Sequence, residues 1–230
     1  METETPQAEA QSRFWWLGLV LPTALLFALA PGPGIWDPHE QRAADLARRV
    51  AIQVFHARNL SLPGSDDSLP TLGDLGRMEL PTTSVALFFR LFGLSESAGR
   101  LPMAAWGAVG LAAVFFALRR FTGLRTAAYG ALVFATTPLF FAHARSMLGD
   151  VVPMAGSALA FAGLGVAVLD EGEVRRRGLP CVAGLVGLVV GLFSRGALLG
   201  VAVPTLAVGI VGLATSASAP DTATSRAPHV

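Results

Sequence analysis

The stretch Leu101–Arg120, LPMAAWGAVGLAAVFFALRR, decides the fold. From Leu101 to Leu118 it carries no charged side chain, and two arginines then close it. At about 1.5 Å per residue such a helix covers most of the roughly 30 Å hydrocarbon core of a bilayer. Apolar segments of similar character recur on both sides: Phe14–Pro31, Thr126–Ala142, Val151–Leu169, Leu179–Phe193 and Ala197–Ala214. The last two are separated only by Ser194-Arg195-Gly196. With 53% hydrophobic and 14% charged residues among 230, the chain reads as an all-α, polytopic transmembrane helix bundle of about six spans. Small residues such as Gly184, Gly187, Gly191 and Gly200 predict close helix packing in lipid.

The remaining composition excludes several classes. The formal net charge is +1, which provides no electrostatic footprint for nucleic acid. Every basic residue apart from histidine is arginine. The single cysteine, Cys181, lies in an apolar segment and is expected as a small buried hydrophobe, so no internal disulfide or cysteine metal cluster can form. A small transporter would show ionisable groups at mid-span, and these spans have none.

Short basic turns set the expected orientation. Arg119, Arg120 and Arg125 fall on one side, as do Arg175–Arg177, and the positive-inside rule makes that side cytoplasmic. The chain is then a multi-pass protein of the plasma (inner) membrane, with residues 1–13 a cytoplasmic tail and 14–214 the membrane domain. Residues 215–230, rich in Ala, Ser, Thr and Pro, read as a disordered tail. The 32–100 loop is placed outside. Ala28-Leu29-Ala30 resembles a signal-peptidase site, but Pro31 follows directly, so an uncleaved span is expected.

The external loop holds most of the ionisable chemistry. Ile35–Arg49, IWDPHEQRAADLARR, opens with Asp37-Pro38-His39-Glu40, a helix start with Asp at N-cap, Pro at N1 and an acid at N3. Ala43, Leu46, Ala47, Val50, Val54 and Ala57 then recur at helical spacing, predicting an amphipathic helix on the membrane interface or on neighbouring spans. Asp37 and Glu40 fit a capping box, and a capped carboxylate can also face a substrate. Asn59–Gly76 reads as an irregular loop whose Asp66-Asp67 are solvated turn residues. Glu79–Gly93 predicts a shorter apolar helix, interfacial or partly inserted, and Ser95 is a plausible N-cap for the next helix.

Taken in order, span one, the acidic loop motif, the amphipathic helix, LFGLSESAGRLPMAAWG (91–107), ATTPLFFAHARSMLGD (135–150) and GLVVGLFSRGALLGVAVP (187–204) form a familiar pattern. It resembles the GT-C membrane glycosyltransferases, in the group of the lipid A aminoarabinose transferase, the protein O-mannosyltransferases and certain lipopolysaccharide-core transferases. The resemblance covers roughly Trp15–Val211, corresponding to the amino-terminal part of a typical member. It implies transfer of a sugar from a polyprenyl-phosphate donor, usually with inversion, to a lipid, glycan or protein acceptor.

The resemblance also carries site residues, with departures. The family's essential Asp-Glu pair falls on His39-Glu40, with Asp37 two positions earlier. A Lys-Pro-Pro motif falls on Met78-Glu79-Leu80-Pro81, where only Pro81 remains. A Lys-Gly near the sixth span corresponds to Arg195-Gly196. Asp150 matches a recurrent acidic position after the third span. The implied catalytic residues are Glu40, Asp37 and His39, one of which would deprotonate the acceptor hydroxyl. The implied substrate-binding residues are Arg195 and Asp150, with Arg145 and His143 as second candidates on the same expected outer face. A donor phosphate needs cations or N–H groups, and Arg195 at an apolar boundary suits it; the other reading of Arg195 is an interfacial anchor that snorkels. Asp150 before Val151 fits a helix N-cap first and a site second. No protein metal site is expected, although a divalent cation is a partner the resemblance allows through Asp150. The departures keep an alternative open: a truncated, catalytically impaired homologue that binds lipid or serves as an accessory subunit. A second chain supplying missing spans is a further candidate partner.

Overall fold

The computed structural model describes residues 17–28, 38–75, 79–169 and 178–217. Among them the regular structure is helical, with no strand, as the apolar periodicity requires. The principal helices are α1 Leu17–Ala28, α2 Pro38–Gln53, α3 Leu72–Leu75, α4 Glu79–Phe92, α5 Glu96–Thr122, α6 Leu124–Thr136, α7 Pro138–His143, α8 Val151–Leu169, α9 Gly178–Ala197 and α10 Val203–Ala217. A π-helical stretch, Leu198–Ala202, joins the last two.

Three helical stretches of the described residues are long and apolar enough to cross a membrane: Glu96–Thr122, Val151–Leu169 and Gly178–Ser216. The third is bent. Gly196 sits at φ 79°, a left-handed conformation that glycine reaches without a Cβ penalty. Beyond it the chain folds back, so that a Cβ added to Gly200 would strike the Gly191 backbone, and one added to Gly212 would meet Val168 at the far end of α8. The expected turn at Ser194-Arg195-Gly196 is thus where the reversal occurs.

The expected continuous segment Thr126–Ala142 is divided. Thr137 takes φ −59° and ψ 122° between α6 and α7. Pro138 imposes this, because its ring disfavours the α region for the residue before it. The helix α5 begins as expected, with the Ser95 side chain accepting from the Ala98 N–H at 3.2 Å.

Close packing comes from small residues. A Cβ on Gly163 or Gly187 would run into the backbone of Gly184 or Ala160, so α8 and α9 touch main chain to main chain. A Cβ on Gly110 of α5 would lie 3.2 Å from the Ala155 Cα of α8. One apolar cluster joins Val50, Phe89, Met103, Phe140, Val152 and Val190, tying α2 and α4 to the end of the bundle where α5 and α8 begin. Another joins Leu111 and Phe115 of α5 to Ala127, Ala131 and Ala135 of α6. The exterior is strongly apolar, as Leu179, Val189, Leu206 and Leu213 show. Cys181 lies on that exposed exterior, not in the interior as expected, because the buried side of α9 is taken by its glycines. Helical structure also continues to Ala217, past the expected start of the tail; residues 1–13 and 218–230 lie outside the described residues.

The amphipathic helix is confirmed in α2, which buries Ala47, Val50, Ala51 and Ile52 together with two charged residues, Glu40 and Arg48. Arg48 staples the following loop. It donates to Asp67 Oδ1 at 2.5 Å, to Asp45 Oδ1 at 2.9 Å and to the Asp66 carbonyl at 2.9 Å. Asp67 also accepts from the Ser61 and Ser65 hydroxyls. Asp67 is therefore a clamp on α2 rather than a solvated turn acid, whereas Asp66 is exposed and accepts from the Ser68 N–H at 2.8 Å, the solvated turn acid expected.

Candidate active site

The bundle end where α5 and α8 begin and α9 turns gathers most of the polar side chains expected of a site. Gly149 at φ 84° turns the chain into α8 and leaves Asp150 at the helix entrance. Gly196 turns it out of α9 directly after Arg195. These two glycine corners bring Arg195 Nη2 to 2.6 Å from Asp150 Oδ1. His143 Nδ1 lies 3.4 Å from Asp150 Oδ2, without hydrogen-bond alignment. Asp150 is thus not a side-chain cap for α8; its carboxylate faces Arg195 and His143. Ser194, next to Arg195, is buried, and its hydroxyl has no hydrogen-bond partner among the described residues.

Asp150 and Arg195 sit at the mouth of a groove of about 700 Å³. Apart from Ser157 the rest of its wall is apolar, with Val114, Phe134, Pro153, Met154 and Phe161 among its lining residues. From Asp150 to Ala162 it follows α8 for twelve residues, about 18 Å at the helical rise. An exposed cation above a long apolar trough fits an amphiphile with an anionic head.

Glu40 occupies a different position from the one expected. It is 5% exposed and does not line this groove. Arg100 Nε and Nη2 donate to its two carboxylate oxygens, each at 3.1 Å, and the Met147 N–H donates to Oε1 at 3.1 Å. These bonds engage both carboxylate oxygens and turn them toward Arg100 and the Met147 amide rather than toward the groove. Glu40 and Arg195 are therefore not brought together. They are linked indirectly, because Met147 lies three residues before Asp150. His39 is exposed on the first turn of α2. Asp37 and Met78 lie outside the described residues.

Arg145 shows a third environment. It is half-buried, with its guanidinium 4.8 Å from the centre of the Phe141 ring. Burial, and then repulsion from Arg100, pull its pKa below the usual arginine value. Two arginines escaped the sequence reasoning, Arg100 and Arg48. Glu96 and Arg100, at i and i+4 in the first turns of an apolar helix, were the visible signal for the first. A second cavity, of about 520 Å³, lies beside them, bounded by Asp45, Arg48, Leu94, Glu96 and Met147. Among the described residues no group of three or more His, Cys, Asp or Glu side chains is placed to hold a metal ion.

The sequence profile of the dolichyl-phosphate-mannose-protein mannosyltransferase family matches residues 84–215, more than half of the chain. His143, Arg145, Asp150, Arg195 and Arg100 fall inside the match, whereas Asp37, His39 and Glu40 precede it. No curated protein and no solved structure matches the chain.

Proposed function

This chain belongs to the dolichyl-phosphate-mannose-protein mannosyltransferase family, membrane glycosyltransferases of the GT-C type, and from that premise we propose that it moves a sugar from a polyprenyl-phosphate donor to an acceptor hydroxyl. The observation that carries the proposal is the Asp150–Arg195 pair at the mouth of the apolar groove. The prenyl chain would lie in the groove and the donor phosphate would meet Arg195. Arginine suits this task, because its planar fork binds phosphate oxygens in pairs.

In the transfer, the bond from the sugar anomeric carbon to the phosphate oxygen breaks and the electron pair leaves with the phosphate. The acceptor oxygen forms the new bond and loses its proton. Arg195 stabilises the charge growing on the leaving phosphate. Asp150 holds Arg195 in place and faces His143 at 3.4 Å. The proton acceptor is assigned to His39, on the first turn of α2, or to Asp37, which precedes that helix in sequence and lies outside the described residues. Glu40 is assigned a positioning role, since its pairing with Arg100 and the Met147 amide anchors that turn to the loop bearing His143 and Asp150. The proposed setting is a multi-pass protein of the plasma membrane with this end on the outer side.

The test is photocrosslinking with a polyprenyl-phosphate probe on the full chain in detergent, alongside sugar transfer from a polyprenyl-phosphate donor. Label is expected on α8 between Pro153 and Ala162. Arg195→Lys should weaken labelling and Arg195→Ala should abolish it. Labelling that ignores both substitutions, or that falls on the opposite end of α8, would sink the assignment.

A further inference from the structure

The donor reading leaves Arg145 unused. Its Nε is sealed from solvent and has no hydrogen-bond partner among the described residues, and the Oγ of the adjacent Ser146 is in the same state. Among the described residues neither meets an acid. The charged neighbour that acts on Arg145 is another cation, Arg100, whose own charge is already matched by Glu40 and approached by Glu96 at 3.9 Å. The contact with Phe141 compensates a desolvated guanidinium only in part.

This is the pattern of a group held for a ligand. A sealed donor required only for folding would be hydrogen-bonded, since leaving one unsatisfied is costly. The turn is also held in place from outside. The Arg145 N–H is bonded to the Ala142 carbonyl at 3.2 Å and the Met147 amide is fixed on Glu40, so residues 145 and 146 are held on either side. Arg145 as a whole is only half-buried, which leaves part of its side chain reachable.

We propose that Arg145 and Ser146 form an oxyanion subsite, separate from the Asp150–Arg195 mouth, that takes a phosphate-type group carried by the acceptor. The assignment to the acceptor rests on the transferase reading above; the subsite itself does not. Arginine supplies charge and paired donors, and the serine hydroxyl supplies one more.

The experiment is thermal unfolding of the full chain in detergent, with and without inorganic phosphate, and in parallel with polyprenyl phosphate in the micelle. Inorganic phosphate should raise the Tm of the wild type and, to a lesser or equal extent, that of Arg195→Gln. Arg145→Met should raise the Tm in phosphate-free buffer, because it removes an unpaired charge, and should weaken the response to inorganic phosphate, and Arg145→Met/Arg195→Gln should lose it. Ser146→Ala should fold normally and weaken that response roughly tenfold in apparent affinity, the worth of one hydrogen bond to a charged group. No response in the wild type, an undiminished response in Arg145→Met, or a lower phosphate-free Tm for Arg145→Met would each overturn the subsite. A polyprenyl-phosphate response that depends on Arg145 and not on Arg195 would make the group the donor's own and overturn the acceptor assignment. If polyprenyl phosphate has no effect while inorganic phosphate behaves as expected, the transferase reading fails and the subsite stands.

Discussion

Arg100 and Glu40 are 60 positions apart and meet in a two-bond ion pair, both side chains less than a tenth exposed. A buried pair of this kind gains little over a well-packed apolar substitute, yet breaking it is expensive because one charge is left alone. Arg100→Met or Glu40→Gln alone should therefore cost about 3–5 kcal/mol, more than a lost helix cap. The double variant Glu40→Gln/Arg100→Met should cost less than the sum of the two. Denaturation in detergent measures the cycle, and additive losses would show that the two residues act independently.

The α8–α9 contact should tolerate no side chain. Gly163→Ala and Gly187→Ala each place a Cβ inside the facing backbone. Each should destabilise the chain by about 1–3 kcal/mol or more through forced separation of the helices. Gly165→Ala is the control, since a Cβ there meets nothing within 4 Å. Equal effects at positions 163 and 165 would contradict the packing.

The clamp on the loop after α2 is pH-dependent, and its sign follows from Asp67. Hydrogen bonding from Ser61 and then from Arg48 holds its carboxyl below the usual carboxylate range. A lowered folded-state pKa stabilises the fold above the unfolded value, near 3.9, and the contribution is lost as pH falls through the lowered one. Protease cleavage within residues 59–70 should stay slow at neutral pH and accelerate as the medium is acidified below about 4. Asp67→Asn should cleave faster already at pH 7 and show less acid dependence.

Orientation is open to a direct measurement. In a Cys181→Ala background, a membrane-impermeant thiol reagent applied outside should label Ser65→Cys and not Glu173→Cys. The basic turns at Arg119–Arg125 and Arg175–Arg177 motivate this arrangement. The reverse labelling would invert it.

What could be read from the sequence divides along a physical line. Apolar runs, small-residue faces, the Ser95 cap and the amphipathic α2 were legible, because each is a local pattern of period or spacing. The break at Thr137 was carried by Pro138 and was overlooked because the flanking residues are continuously apolar. Long-range charge pairing was not legible. Nothing near Glu40 announces Arg100, and the local capping pattern offered a sufficient account of the acid. Asp150 likewise looked like a cap until Arg195 arrived from 45 residues away. Polar partners in an apolar bundle are chosen by the tertiary fold, so sequence could nominate these groups without pairing them.

The Glu40–Arg100 bond also crosses the boundary of the family match, which begins at residue 84. An excised 84–215 module would inherit the arginine without Glu40, the acid that holds it in two bonds, and keep only the looser approach of Glu96 at 3.9 Å among the pairs described above. In swaps between relatives, the unit of exchange is thus larger than the recognisable core: any chimera that replaces the segment before residue 84 must import an acid able to reach Arg100, or neutralise that arginine in the same step.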